Sequence, residues 1–311
     1  MTPTSLPGRT GRRSETTIIV GVDPGGRSTS AVLWAAEEAD RTGQPLLLVS
    51  AYPAEAAEAG DRAELRSDLA GVARRLTLSD LEYDARFGAA VSVLLVAATE
   101  GGLLVVGRRG YGGVERRLLG STSMAVAGRS PVPVVIAPEQ WLQPSMSSAP
   151  LLVGVDERHV RTDIGGSRGR DPDRSALDFA FDRADQMRVP LIVVHAFDLP
   201  VLSGWSSRDV EACRGKYQEM LEARLQPWRD RYPDVEVVPR CVAETPRQAL
   251  LDSARVAQLT VLGRHSGGRL RGTLLGSTAR GFLHHAEHPV AVIPVPEDDE
   301  ADPEEVDDAG A

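Results

Sequence analysis

A chain of 311 residues is long enough for two ordinary domains, and its 42% hydrophobic and 25% charged content is that of a globular protein. Aromatic residues at 5% argue against a surface that stacks bases or sugars, no apolar run approaches the ~20 residues of a membrane span, and two cysteines form neither a disulfide framework nor a metal-ligand spacing. The net charge of −9 resides in the last segment, where Glu297 to Asp308 holds nine acidic residues and no basic one, so the near-neutral remainder lacks the field that nucleic acid requires.

Residues 1–15 are polar, with Arg9, Arg12 and Arg13 but no apolar stretch after them, which predicts a disordered N-terminus without a signal peptide and a cytoplasmic protein. Thr17 to Asp23 is a β-branched strand that ends at a carboxylate, and Pro24-Gly25-Gly26 breaks it. Ser28, Thr29 and Ser30 are N-cap candidates for a helix over Ala31 to Arg41, closed by Gly43. Leu46 to Ala51 reads as a second strand, Asp61 to Leu76 as a helix, Tyr83 to Phe87 as a third strand and Val91 to Thr99 as a helix. A fourth strand, Leu103 to Val106, runs into a glycine-rich loop. Thr122 to Ala127 starts the next helix, Val134 to Ala137 is a fifth strand, and Glu139 to Ala149 reads as a linker.

The second half repeats this order. Leu151 to Asp156 matches the first strand and its aspartate, Leu191 to Ala196 the second strand, Thr260 to Gly263 the fourth, and Val290 to Pro294 the fifth. The offset is 133 from Asp23 to Asp156, 145 from Ala31 to Ala176, and 156 both from Gly107 to Gly263 and from Pro133 to Pro289. Extra residues therefore enter in two places, one of them the segment Glu157 to Pro172. Indels confined to loops mark a duplicated domain rather than a solenoid. The expected organisation is a domain at 16–138, a linker at 139–149, a second domain at 150–296 and a disordered acidic tail at 297–311. Strands alternating with helices imply a parallel sheet covered on both faces, with ligands at the carboxyl ends of the strands.

Gly107, two residues, Gly110, nine residues and then Gly120-Ser121-Thr122 form the most informative spacing. The glycines let backbone approach a ligand closely. Gly120-Ser121-Thr122 opens a helix whose free N–H groups and dipole attract an anion, phosphate being the obvious one. A serine-capped connection with no ligand is the competing explanation. The duplication and the companion Asp23 favour the anion. In the second copy Ser266 stands where the first has Gly110, which makes that site the weaker candidate.

Gly107-x2-Gly110-x9-Gly120-Ser121, with Val20-Gly21-Val22-Asp23, Ala31 to Ala35 and Ser130-Pro131-Val132-Pro133-Val134, resembles the signature of the universal stress protein family, and the resemblance spans nearly the whole chain. It implies two tandem α/β domains, Rossmann-like and of the adenine-nucleotide α-hydrolase-like type. Each would be a five-stranded parallel sheet of order 3-2-1-4-5 with helices on both faces. It implies ATP as cofactor, alone or with Mg, and a role in stress response or dormancy. Gly21 would belong to the site, Asp23 would face the ribose or phosphates, and Ala51 would lie against the adenine. Val106 and Gly107 would line the pocket, and Gly110, Gly120, Ser121 and Thr122 would hold the phosphates. The counterparts are Asp156, Ala196, Gly263, Gly276, Ser277 and Thr278. Assembly is expected through the last strands, as an intramolecular pseudo-dimer or a homodimer.

Other chemistry is poorly supported. No Gly-x4-Gly-Lys-Ser/Thr loop exists, and Lys216, the only lysine, is remote from both glycine loops. His284-His285-Ala286-Glu287-His288 spells an inverted zinc-protease motif, but the repeat aligns it with a helix exit and Pro289 follows it. Trp34 and Trp228, on amphipathic helices, and the strand residue Cys241 read as packed residues, and His195 as a pocket-edge or packed residue. The expected output is nucleotide-dependent conformation or interaction without catalytic residues. The alternatives are an interaction module that needs no nucleotide and a slow ATPase.

Overall fold

The computed structural model describes residues 16–23, 28–52, 81–108, 119–139, 141, 148–156, 172–197, 206–264 and 275–295. The first half comprises β1 (Ile18–Gly21), α1 (Thr29–Thr42), β2 (Leu46–Tyr52), β3 (Leu81–Phe87), α2 (Ala90–Ala98), β4 (Leu103–Gly107), α3 (Ser121–Arg129) and β5 (Val134–Ala137). The second comprises β6 (Leu151–Val155), α4 (Pro172–Met187), β7 (Leu191–Ala196), α5 (Ser207–Arg231), β8 (Val237–Val242), α6 (Pro246–Ala254), β9 (Leu259–Gly263), α7 (Ser277–Leu283) and β10 (Val290–Ile293). The expected helix Asp61 to Leu76, Gly110, Ser266, both termini and residues 157–171 of the insertion lie outside the described residues. Pro172, the last residue of that insertion, begins α4.

All ten strands form one sheet, ordered β3-β2-β1-β4-β5-β10-β9-β6-β7-β8. Each half is parallel and has the order 3-2-1-4-5, the second being the mirror sequence of the first along the sheet. The halves meet where β5 and β10 pair antiparallel, with Val135 opposite Ala291. The last strands are thus joined to each other within the chain. Each already has two neighbours, so neither offers an edge for the expected homodimer pairing with a second copy.

Period-two alternation builds the two faces. Ile18, Val20, Leu46, Leu48 and Val105 join Leu151, Val153, Phe181, Leu191 and Ala291 in one core, whereas Ile19, Leu47, Val49, Leu104 and Val106 join Leu152, Ile192, Leu250, Phe282 and Val290 in the other. Both cores therefore run through both halves. Trp34 is buried, and Trp228 stacks on Phe181 while its Nε1 donates to Asp178 at 2.8 Å. Gly43 closes α1 with φ of 67°, the left-handed conformation that favours glycine.

The sequence placed Trp228 on an amphipathic helix but gave no bounds for α5. This 25-residue helix buries only Leu221, Arg224 and Leu225, so its apolar stripe is narrow, and Pro227 lies inside it. Its start is secured instead by a capping box. The Asp209 N–H donates to Ser206 Oγ, and the Ser206 N–H donates to the Asp209 carboxylate.

One charged contact ties the halves together on the face bearing α1 and α4. The Arg183 guanidinium of α4 bonds the Glu38 carboxylate of α1, both buried, and Arg41 bonds the same carboxylate. Burial holds the Arg183 guanidinium below its ordinary range, and Glu38 opposes that effect. Removing Glu38 leaves a guanidinium in an apolar site without this counter-charge. Glu38→Ala is expected to cost about 3–5 kcal/mol of stability. Arg183→Ala costs less because Arg41 remains on Glu38, and Glu38→Leu with Arg183→Met recovers most of the loss. Urea-denaturation midpoints of the three variants check this order.

Candidate nucleotide sites

Sheet register brings the first-half candidates together. Gly21 lies beside Val106 on one side and Val49 on the other, so the carboxyl ends of β1, β2 and β4 are level. Ala51 is two residues further along β2 and Gly107 one further along β4. Gly120 is the N-cap of α3, with Ser121 and Thr122 as its first residues. The neck of the glycine loop is closed by three contacts. The Gly120 N–H donates to Arg108 O at 2.8 Å, Ser123 Oγ donates to Gly107 O at 2.6 Å, and the Arg108 N–H donates to Ala137 O at 2.8 Å.

The second half carries an open cavity of about 390 Å³ at the corresponding place. Asp156, Ala196, Gly263, Gly276, Ser277 and Thr278, all six second-half candidates, line it. The sequence reading missed Val194, Pro246 and Leu250 in the same wall. The alternation of β7 would have found Val194, two residues before Ala196. Leu250 has a different signal. A Cβ on Gly154 would stand 2.9 Å from Leu250, and one on Gly21 would stand 3.1 Å from Leu94, the residue 156 positions earlier. The glycine in the first strand of each half makes room for this helix leucine.

Several expectations change at the level of single contacts. Ser28 occupies the N-cap position of α1 without a side-chain cap bond; its Oγ accepts from the Asp23 N–H at 2.8 Å. In the second half the Asp156 N–H donates to Asp173 Oδ2 at 2.9 Å. Asp173 lies 145 positions after Ser28, the same offset as Ala31 to Ala176. The second copy therefore has a buried carboxylate where the first has a hydroxyl, with Arg224 3.9 Å from it. His195 is fully buried, and its ring packs 5.1 Å from Tyr217. Val194 and Ala196, not His195, line the cavity.

The profile of the Universal stress protein family matches residues 16–138 and 160–294. The chain belongs to this family. A universal stress protein of Mycobacterium tuberculosis (strain H37Rv) is 30% identical over 302 residues, covering 90% of this chain and 97% of its own. One from Mycolicibacterium smegmatis is 31% identical over 301 residues, covering 89% and 96%. The fold is shared with the crystal structure of a universal stress protein from Archaeoglobus fulgidus, at a TM-score of 0.65 and 17% identity, covering 90% of this chain and 98% of that one. Among the described residues no helix is long and apolar enough to cross a membrane.

The His284 to His288 segment lacks the geometry of the protease motif. Helix α7 ends at Leu283, before the first of these histidines, so no continuous helix presents them to one ion. His288 Nε2 instead meets Thr260 Oγ1 at 2.6 Å, and the ring lies edge-on to Phe282. Burial depresses the His288 pKa from 6.5 to about 4. The unfolded chain accepts a proton near pH 6.5, whereas the folded chain resists one until about pH 4, so His288 favours folding above pH 6.5 and this contribution is lost as pH falls between these values. The expected loss is roughly 2–3 kcal/mol. His288→Gln should flatten the urea midpoint against pH in this window, measured beside wild type from pH 7 to 4.

Proposed function

We propose that this universal stress protein binds adenine nucleotide, ATP in the first instance, and acts in stress response through nucleotide-dependent conformation or interactions. The cavity that gathers all six second-half candidates carries the proposal. Its volume falls in the usual range for small-molecule sites, about 300–1,000 Å³. A Cβ on Gly276 would meet nothing within 4 Å, so the backbone here has open space beside it for an oxyanion. Ser277 and Thr278 add hydroxyl and N–H donors for phosphates, while Val194, Ala196 and Leu250 supply apolar wall for a base. In the first half, the nine-residue α3 directs its free N–H groups and positive dipole end towards the equivalent place. Bound ATP would supply the charge and contacts through which the state of the protein is read. Among the described residues no cluster of three or more His, Cys, Asp or Glu side chains is placed to hold a metal, so Mg would arrive with the phosphates.

The halves are proposed to differ in affinity. Asp173 sets a buried carboxylate behind Asp156, where the first site has the neutral Ser28, and Arg224 at 3.9 Å offsets part but not all of its repulsion of phosphate. Calorimetric titration of the full chain should resolve a tighter first site and a second site about tenfold weaker, a difference of ~1.4 kcal/mol. Gly120→Glu should abolish the tighter phase and Gly276→Glu the weaker one. Unchanged tight binding in Gly120→Glu would sink the assignment. Extraction of the purified protein separates the alternatives. Recovered ATP supports binding without turnover, ADP with steady phosphate release favours a slow ATPase, and no nucleotide in either half favours an interaction module.

A further inference from the structure

The antiparallel seam places the carboxyl end of β5 beside the start of β10, so each half's site edge abuts the other half's helix exit. Two arginines use this proximity reciprocally. Arg108, the residue after Gly107, donates from Nη1 to Ala286 O at 2.9 Å. Arg264, the residue after Gly263, donates from Nη1 to Ser130 O at 2.6 Å. Both pairs keep the 156-residue offset, so the pseudo-symmetry extends to these bonds. The cations that follow each signature glycine point across the seam.

A third contact breaks the symmetry. The Leu119 N–H, one residue before Gly120, donates to His284 Nδ1 at 3.3 Å. The acceptor role requires a neutral imidazole carrying its proton on Nε2. The residue 156 positions before His284 is Gly128, which has no side chain to offer the second half's loop. The first phosphate loop is thus supported by a side chain from the second half, and Gly128 gives no such support in return. Gly120 is fixed from one side by Arg108 O and from the other by the anchored Leu119. The free N–H groups of α3 begin immediately beyond it.

We infer that His284 is a positioning residue for the first-half nucleotide site, supplied across the seam by the second half. It holds the turn Leu119-Gly120-Ser121 in the conformation that aims the α3 N-terminus at phosphate. The two sites then have unequal standing at this position, because His284 reaches the first and its counterpart Gly128 has no side chain for the second. The inference rests on the nucleotide reading above, and its test separates the two.

ATP titrations of the full chain isolate each site by closing the other, with Gly276→Glu leaving the first open and Gly120→Glu leaving the second. In the Gly276→Glu chain, His284→Ala should weaken ATP binding about fivefold, the worth of one net hydrogen bond. His284→Asn should restore it to within about twofold, because the amide oxygen can accept where Nδ1 did. In the Gly120→Glu chain, His284→Ala should leave binding unchanged, although it alters the helix belonging to that site. Hydrogen exchange at the Leu119 amide should accelerate in His284→Ala and slow again in His284→Asn, with or without nucleotide. ATP binding that is insensitive to His284→Ala at the first site, an equal loss at both sites, or failure of Asn to rescue would overturn the role of His284 and leave the nucleotide reading intact. Absence of ATP binding in the otherwise unaltered chain would overturn both.

Discussion

The pairing of β5 with β10 is the constraint on which the rest of the molecule depends. Three register pairs, Val290 with Ile136, Ala291 with Val135 and Val292 with Val134, turn two five-stranded sheets into one of ten. The residues involved are buried and apolar, so the seam satisfies backbone hydrogen bonds and buries side chains in one step. Both hydrophobic cores then extend across the seam, and the Glu38–Arg183 pair adds a charged contact on one face.

The same pairing determines where the candidate sites lie. Antiparallel joining points the carboxyl ends of the two halves' strands in opposite directions. It also sets each signature loop against the other half's helix exit, within reach of an arginine or imidazole side chain. Arg108 and Arg264 therefore form part of the connection between halves. A duplicated domain with free last strands would have needed a partner chain for these contacts.

Duplication also gave the two copies freedom to diverge. Ser28 and Asp173 hold equivalent backbone groups with different charge, and Gly128 and His284 stand at equivalent positions of the repeat with different reach. The copies keep the apolar character of most strand positions but not the residues themselves, as Leu104 and Thr260 or Ser50 and His195 show. They differ at the rim, where a side chain faces a ligand or the other half. The leucines Leu94 and Leu250, packed against Gly21 and Gly154, belong to the part that stays the same.

The strands, the duplication and the positions of the candidate glycines were legible in the sequence, because period-two burial and strand-to-helix turns are local signals with strong residue preferences. The glycine spacing carried the family resemblance, the resemblance implied the first-half candidates, and the six from Asp156 to Thr278 are their counterparts in the repeat. The sequence placed Trp228 on an amphipathic helix but did not bound α5, because three buried residues in a long polar helix give little periodic contrast. It offered homodimer and pseudo-dimer equally, because an apolar last strand has the same composition whichever strand it pairs with. Only the tertiary structure joined β5 to β10, placed Leu250 and Val194 in the cavity wall and set His284 against Leu119. The β5–β10 pairs and the His284–Leu119 contact link residues from 154 to 165 positions apart, and their partners are chosen by sheet order and helix packing, for which the local sequence holds no pattern.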